Sequence, residues 1–209
     1  MIGLYAVTLR APPGALGARG EVLRELRLGE ISLLAGAAPP MLSVEALRAH
    51  EAAVRRIAEA CEACLPARFG VAAENDESLL SAMRSREPDL MEALKLVSGR
   101  EQMTLRIHGP AVPTPALPST SGTRYLEERR RARRIPELDP LRTALQGVSH
   151  AERVERHSEP GLLASVYHLI DRGASAGYRR IVEATALPGL RASISGPWPA
   201  WSFAPELAP

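Results

Sequence analysis

The sequence is short of aromatic residues, has two cysteines and has a single lysine, Lys95. Aromatic residues make up 4% of the 209 residues, so we expect a core built mainly from leucine, valine, isoleucine and alanine. Two cysteines exclude a disulfide-stapled scaffold. No apolar run approaches the roughly 18 residues that a membrane-spanning helix needs. Because the first ten residues also lack the pattern of a secretory signal, we expect a cytosolic protein.

The charges are nearly balanced, with 26 basic and 24 acidic residues and a formal net charge of +2. A balance this close to zero does not predict electrostatic steering of the whole protein onto nucleic acid. Hydrophobic residues make up 45% and charged residues 24%, which is typical of a folded globular protein. These values exclude a disordered or fibrous chain.

Strand and helix patterns are mixed in the first half of the chain. Short apolar or alternating segments predict strands at 2–9, 23–28, 31–35, 68–71 and 102–108. Helical spacing predicts helices from Ser43 to about Cys61, after Asn75 or Asp76, and near Pro88, which either bends the second helix or begins a third. In the last of these strands, alternation places Met103, Leu105 and Ile107 on the buried face.

A proline-rich stretch at 109–120 divides the sequence and predicts an interdomain linker. We therefore predict an N-terminal domain at 1–108 and a C-terminal domain at 121–209. The second domain is predicted to hold helices at 123–134, after Pro140 and around Tyr178, with strands at 154–157, 162–170 and 191–195. Because the elements do not form a regular βαβ array, we predict an α+β fold.

Two short motifs match catalytic or metal-binding patterns only in part. Cys61 and Cys64 form a C-x-x-C at the predicted end of a helix, where the helix dipole does not favour a thiolate, and no second ligand pair follows. Ser175 lies in a G-x-S-x-G motif, but no histidine follows His168 to act as its base. We interpret both motifs as structural, and we predict no catalytic residue, no metal, no cofactor and no enzymatic activity.

The predicted helix at 123–134 is rich in arginine, and its candidate contact residues are Arg129, Arg130 and Arg133. An arginine face of this size is able to contact phosphates. However, Glu127 and Arg131 form an i,i+4 pair, which favours a solvated or protein-facing helix. Nucleic-acid binding is therefore the alternative function and protein contact is the leading one.

The segment at 196–203 holds both tryptophans and one of the two phenylalanines. Its two prolines predict a stiff, extended backbone that presents Trp198, Trp201 and Phe203. Two interpretations stay open: the segment folds back to fill a shallow core, or it anchors a partner protein. One segment is able to do both.

The same segment carries a resemblance to the GvpF/GvpL family of gas vesicle proteins. The most specific element is the ending S-G-P-W-P-A-W-S-F at 195–203. Further matching motifs are L-Y at 4–5, P-A-R-F-G at 66–70, G-R-E at 99–101, S-G-T-R-Y-L-E at 121–127 and Y-H-L-I-D-R at 167–172. Two positions depart from the family: Trp201 stands where tyrosine is more frequent, and Gln102 where an aromatic residue is common.

This resemblance implies a non-enzymatic accessory or minor structural protein of gas vesicles, the hollow protein shells that give cells buoyancy. It implies two α+β domains, of which the first is a modified ferredoxin-like antiparallel sheet with helices. The partners it implies are the major gas vesicle shell protein and other accessory gas vesicle proteins, with no membrane and no nucleic acid. The location it implies is the gas vesicle, within the cytoplasm.

Overall fold

The computed structural model describes residues 1–38, 41–110, 135–157 and 161–207, which group into two compact units. The first unit holds Met1–Gln102 together with the chain from Trp198 onwards, and the second holds Met103–Pro197. The aromatic tail thus groups with the first unit and not with the C-terminal domain predicted at 121–209, because Trp201 packs against the core of the first unit. Of the predicted linker only Gly109 and Pro110 are described, and the predicted helix at 123–134 lies outside the described residues.

The first unit is an antiparallel sheet with three helices. Its strands are β1 (Ile2–Thr8), β2 (Arg24–Leu28), β3 (Ile31–Ala37), β4 (Cys64–Pro66) and β5 (Ala72–Ala73), in the order β2-β3-β1-β4 with β5 also pairing β1. Its helices are α1 (Val44–Ala60), α2 (Asp76–Arg84) and α3 (Glu87–Val97). The strands predicted at 23–28 and 31–35 are present as β2 and β3, which pair with each other as a hairpin.

Local sequence signals set the starts of these helices. The Ser43 hydroxyl accepts a hydrogen bond from the Ala46 N–H at 3.1 Å, and Asn75 Oδ1 accepts one from the Ser78 N–H at 2.9 Å. Both side chains satisfy backbone donors that a helix leaves unpaired at its N-terminus. Pro88 lies in the first turn of α3, where its missing N–H costs no helical hydrogen bond, so it begins a third helix.

The strand predicted at 68–71 is wrong. These residues form a turn in which the Val71 N–H donates to the Arg68 carbonyl at 3.3 Å. Gly70 has a φ of +93°, which lies outside the strand region of backbone conformation. The chain is extended instead on either side of this turn, in β4 and β5.

The second unit is built on another sheet, in the order β7-β8-β6-β9. Its elements are β6 (Arg100–His108), which enters the unit at Met103, a 3₁₀ turn (Pro136–Leu138), α4 (Asp139–Ala144), β7 (Ser149–Arg156), β8 (Leu162–Asp171), α5 (Ser175–Ala184) and β9 (Arg191–Trp198), which belongs to the unit up to Pro197. Met103, Leu105 and Ile107 are each 0% exposed, as the alternation predicts. The two sheets with their helices confirm the α+β class.

Strands β7 and β9 are longer than the predicted segments at 154–157 and 191–195. The sequence of β7, S-H-A-E-R-V-E-R, has little apolar content, because this strand lies at the edge of its sheet. Strand β9 extends through Gly196 and Pro197, so Trp198 is the last residue of a strand. No helix within the described ranges has the length and apolar content needed to cross a membrane.

Candidate functional site

The tail that follows β9 makes a tight turn. The N–H groups of Phe203 and Ala204 both donate to the Ala200 carbonyl, each at 3.0 Å. The extended backbone predicted at 196–203 is present up to Trp198, the last residue of β9, and the turn replaces it beyond that residue. Trp201 packs against the core of the first unit, and the tail belongs to that unit.

The aromatic side chains of the tail differ in exposure. Phe203 is 2% exposed, so its predicted role as a surface contact does not fit its buried position. Trp201 is half-buried and packs against the cluster formed by Tyr5, Ala6, Leu23, Leu34, Ala53, Val54, Ile57, Cys61 and Cys64. Trp198 is also half-buried. Of the three predicted contact residues, the two tryptophans are the ones that a partner is able to reach.

Trp198 lies against helix α1. The Arg55 guanidinium carbon is 4.7 Å from the centroid of the Trp198 ring, which is a cation–π contact. The contact covers part of the indole, and the half-burial of Trp198 leaves the rest of its surface accessible. A half-buried tryptophan fixed beside an arginine has the composition found at the energetic centres of protein interfaces.

Gln102 ties the tail to the beginning of β6. Its side-chain oxygen accepts a hydrogen bond from the Ser202 N–H at 2.8 Å, and the residue is 3% exposed. The sequence shows Gln102 only as a departure from the family pattern. The structure gives it a role, because the amide satisfies a backbone donor of the tail turn.

The motif at 66–70 lies beside the tail. A concave cavity of about 190 Å³ is lined by Pro66, Arg68, Trp201, Ala204, Pro205, Glu206 and Leu207. This volume is below the roughly 300–1,000 Å³ of sites for drug-sized ligands, which suits a protein side chain better than a cofactor. Arg68 is exposed and makes no ion pair within the described residues. We call Arg55, Arg68, Trp198 and Trp201 the tail surface.

Buried aromatic packing positions the turn that carries Arg68. His50 donates from Nε2 to the Ala67 carbonyl at 2.9 Å. Its ring stacks on Tyr5 with centroids 5.0 Å apart and meets the edge of Phe69 at 5.7 Å. Because His50 is 5% exposed, burial lowers its pKa, and the hydrogen bond to Ala67 opposes this only in part.

The lowered pKa of His50 predicts an acid-sensitive first unit. The unfolded chain takes up this proton near the ordinary histidine pKa of 6.5, before the folded protein does, so stability is present above pH 6.5 and falls below it. We expect the free energy of unfolding to decrease from pH 7.5 to pH 5.5 less in a His50→Phe variant than in the unmodified chain. Urea titrations followed by tryptophan fluorescence measure this, and equal pH dependence in the two proteins would contradict it.

A second polar cluster lies in the second unit, where no motif predicts it. His168 is 2% exposed, with Nδ1 2.7 Å from Tyr178 Oη and Nε2 3.2 Å from Glu152 Oε2. Arg142 donates from Nε to both carboxylate oxygens of Glu152, at 3.0 and 3.3 Å, and from Nη1 to Asp139 at 2.9 Å. A neutral His168 satisfies this geometry by donating to Glu152 and accepting from Tyr178. The available sequence signal is His168 itself, a polar residue on the buried face of a strong strand.

Two groups of this cluster, Tyr178 and Glu152, have pKa values shifted away from neutral pH. Burial raises the pKa of Tyr178, and the nearby Glu152 carboxylate acts in the same direction. Burial also acts to raise the pKa of Glu152, but the hydrogen bond from His168 and the charge of Arg142 outweigh it and lower that pKa. Tyr178 therefore stays a neutral donor and Glu152 stays ionised. The cluster suits a cross-link between β7, β8, α4 and α5.

Comparison with known proteins identifies the chain. A model of the family described as "Gas vesicle synthesis protein GvpL/GvpF" matches residues 3–205. The chain belongs to the GvpL/GvpF family. The match runs through both units and includes the tail surface.

Individual relatives agree with this membership. "Gas vesicle protein L" of Streptomyces sp. (strain CB03234) is 27% identical over 245 residues, covering 96% of this chain and 91% of that protein. Crystal structures of GvpF from Anabaena sp. PCC7120 and from Microcystis aeruginosa superimpose with TM-scores of 0.72 and 0.74, at 15% and 17% identity and with 98% of each chain covered. These two structures support the fold. The nucleic-acid alternative finds no support in any of these descriptions.

The other residues that the sequence analysis considers in this GvpL/GvpF member lie in several different parts of the chain. Arg129, Arg130 and Arg133 lie outside the described residues. Cys61 directly follows α1 as its C-cap and Cys64 begins β4, and each is 6% exposed within the first core. Ser175 is the first residue of α5. Within the described ranges, no three histidine, cysteine or acidic side chains are arranged to hold a metal ion.

Proposed function

We propose that this GvpL/GvpF member is a non-enzymatic accessory or minor structural protein of gas vesicle assembly, acting at the gas vesicle within the cytoplasm. Its partners in this proposal are the major gas vesicle shell protein and other accessory gas vesicle proteins. The observation that carries the proposal is the family match over residues 3–205, which includes the tail surface.

The geometry of the tail surface supports a protein partner. Trp198 and Trp201 are half-buried, so docking removes the rest of each indole from water without ordering a loose segment first. Arg55 and Arg68 add two guanidinium groups, a side chain enriched at interfaces. The adjacent cavity of about 190 Å³ offers a recess for one side chain of the partner.

A capture experiment tests the proposal. Tagged protein is incubated with the major shell protein, alongside a Trp198→Ala/Trp201→Ala variant and a Tyr167→Ala control in the second unit. We expect capture by the unmodified chain and by the control, and a loss of about tenfold or more with the double variant, because interface tryptophans carry much of the binding energy. Far-UV circular dichroism verifies that each variant is folded.

Two other outcomes of the capture experiment would contradict different parts of the proposal. Capture by the folded double variant at the unmodified level would contradict a tail interface. The next surface to test would then be the exposed aliphatic group at the start of α1, formed by Met41, Leu42, Val44 and Leu47, which are 90%, 72%, 65% and 41% exposed. No capture of shell protein by the unmodified chain would contradict the shell contact and leave the accessory proteins as partners.

A further inference from the structure

Strand β2 lies at an edge of the first sheet and pairs with β3 alone in the described part of the chain. The β2–β3 register pairs Leu28 with Ile31, so the connecting loop is the two residues Gly29 and Glu30. Gly29 has a φ of +55°, as the first position of a type II′ turn requires. An open edge of this kind exposes backbone groups to further pairing.

The short turn fixes which backbone groups face outwards. The residues that close a two-residue hairpin form a hydrogen-bonded pair, and hydrogen-bonded pairs recur at every second residue of an antiparallel ladder. Leu28, Leu26 and Arg24 therefore direct their N–H and C=O groups towards β3. Glu25 and Arg27 direct theirs to the open edge.

The side chains of these same two residues have opposite charges. Glu25 and Arg27 lie on one face of β2, with Arg27 Nη1 3.2 Å from Glu25 Oε1 and the two side chains 40% and 62% exposed. Ser32 of β3 holds both in place, accepting from Arg27 at 3.0 Å and donating to Glu25 at 2.6 Å. The charges are therefore ordered before any partner arrives.

We propose that β2 is a self-association site, which pairs antiparallel with β2 of a second copy of this chain about a two-fold axis at Leu26. In this register Glu25 lies opposite Arg27 of the second copy, and Arg27 opposite its Glu25. The two outward-facing residues then exchange backbone hydrogen bonds as well as charge contacts, and the symmetry doubles both. Leu26 meets Leu26 of the second copy at the axis.

This register is selected by charge. Moving the second copy by two residues along β2 would place Glu25 or Arg27 opposite an identical residue, and like charges directly opposite each other are destabilising. The charge pattern therefore favours a second copy over an unrelated strand. The inference goes beyond the proposed function and does not depend on shell binding.

A charge-swap experiment tests the pairing. Sedimentation velocity and native mass spectrometry are applied to the full chain and to Arg27→Glu, Glu25→Arg and, as control, Arg84→Glu, an exposed position in the last turn of α2. We expect the unmodified chain and the control to dimerise with increasing concentration. Each β2 variant is expected to weaken the dimer by about tenfold or more, because it sets like charges opposite each other twice. An equimolar mixture of the two β2 variants is expected to form the mixed dimer.

A cross-link tests the axis. A non-hydrogen-bonded antiparallel pair has Cα atoms about 4.5 Å apart, within the range of a disulfide. In oxidised glutathione, which is reduced as the two thiols join, Leu26→Cys is expected to give a covalent dimer and Glu30→Cys is not. An unmodified chain that stays monomeric at every concentration reached would overturn the inference. So would a mixture of folded β2 variants that stays monomeric, or equal cross-linking at both positions.

Discussion

Replacing Phe203 by alanine is expected to lower the free energy of unfolding of the first unit by about 3–5 kcal/mol. The side chain is 2% exposed, so its removal takes a large apolar group out of the interior and leaves a cavity. The tail turn offers little compensation, because the N–H groups of Phe203 and Ala204 are both held by the Ala200 carbonyl. The site is therefore expected to collapse only in part.

The measurement is a urea titration followed by tryptophan fluorescence. Both tryptophans of the chain lie in the tail and belong to the first unit, so their emission reports this unit. Glu206→Ala is the matched control, since it truncates an exposed residue of the same segment and is expected to change stability by less than about 0.5 kcal/mol. Equal stabilities of the two variants would show that the tail is not part of the core.

Replacing Tyr178 by phenylalanine is expected to destabilise the second unit by about 1–3 kcal/mol, although it removes one oxygen atom only. Tyr178 is 0% exposed and its hydroxyl is 2.7 Å from His168 Nδ1. Without that donor the Nδ1 atom of His168, a residue that is 2% exposed, has lost its hydrogen-bond partner. The cost is that of an unsatisfied acceptor, which exceeds the net value of an ordinary hydrogen bond.

Tyr167→Phe is the control for this variant. The Tyr167 hydroxyl donates to Glu155 at 2.9 Å near the surface, where water replaces a lost partner, so a change within about 0.5 kcal/mol is expected. Unfolding is followed by far-UV circular dichroism, and hydrogen exchange of the α5 amides locates the effect. Similar losses for both tyrosines would mean that the His168 cluster is not a buried cross-link.

The strongest local patterns in the sequence predicted their elements well. Ser43 and Asn75 each cap a helix, and the alternation of Met103, Leu105 and Ile107 is a buried face, because these features depend on neighbouring residues only. The apolar content of 68–71 predicts a strand where the structure has a turn, since composition gives no sign that Gly70 takes a positive φ.

The candidate site depends on contacts between residues far apart in the sequence. The tail motif was recognised from its composition, but its place on the first unit is decided by Arg55, Gln102 and the core beside Trp201. Nothing in the tail itself specifies those partners. Phe203 is buried whereas Trp198 is only half-buried, and the tail sequence does not predict this difference either.

The division of the chain makes the second unit an insertion in the first, which the chain leaves after Gln102 and rejoins at Trp198. A domain interrupted in this way is not complete when its long first segment has been synthesised. During translation the part of the first core that Trp201 covers therefore stays uncovered until the inserted unit has been synthesised. The inserted unit has a continuous sequence, so it is able to fold before the first unit is complete. The first unit is completed last, when the tail has been synthesised and packs against it.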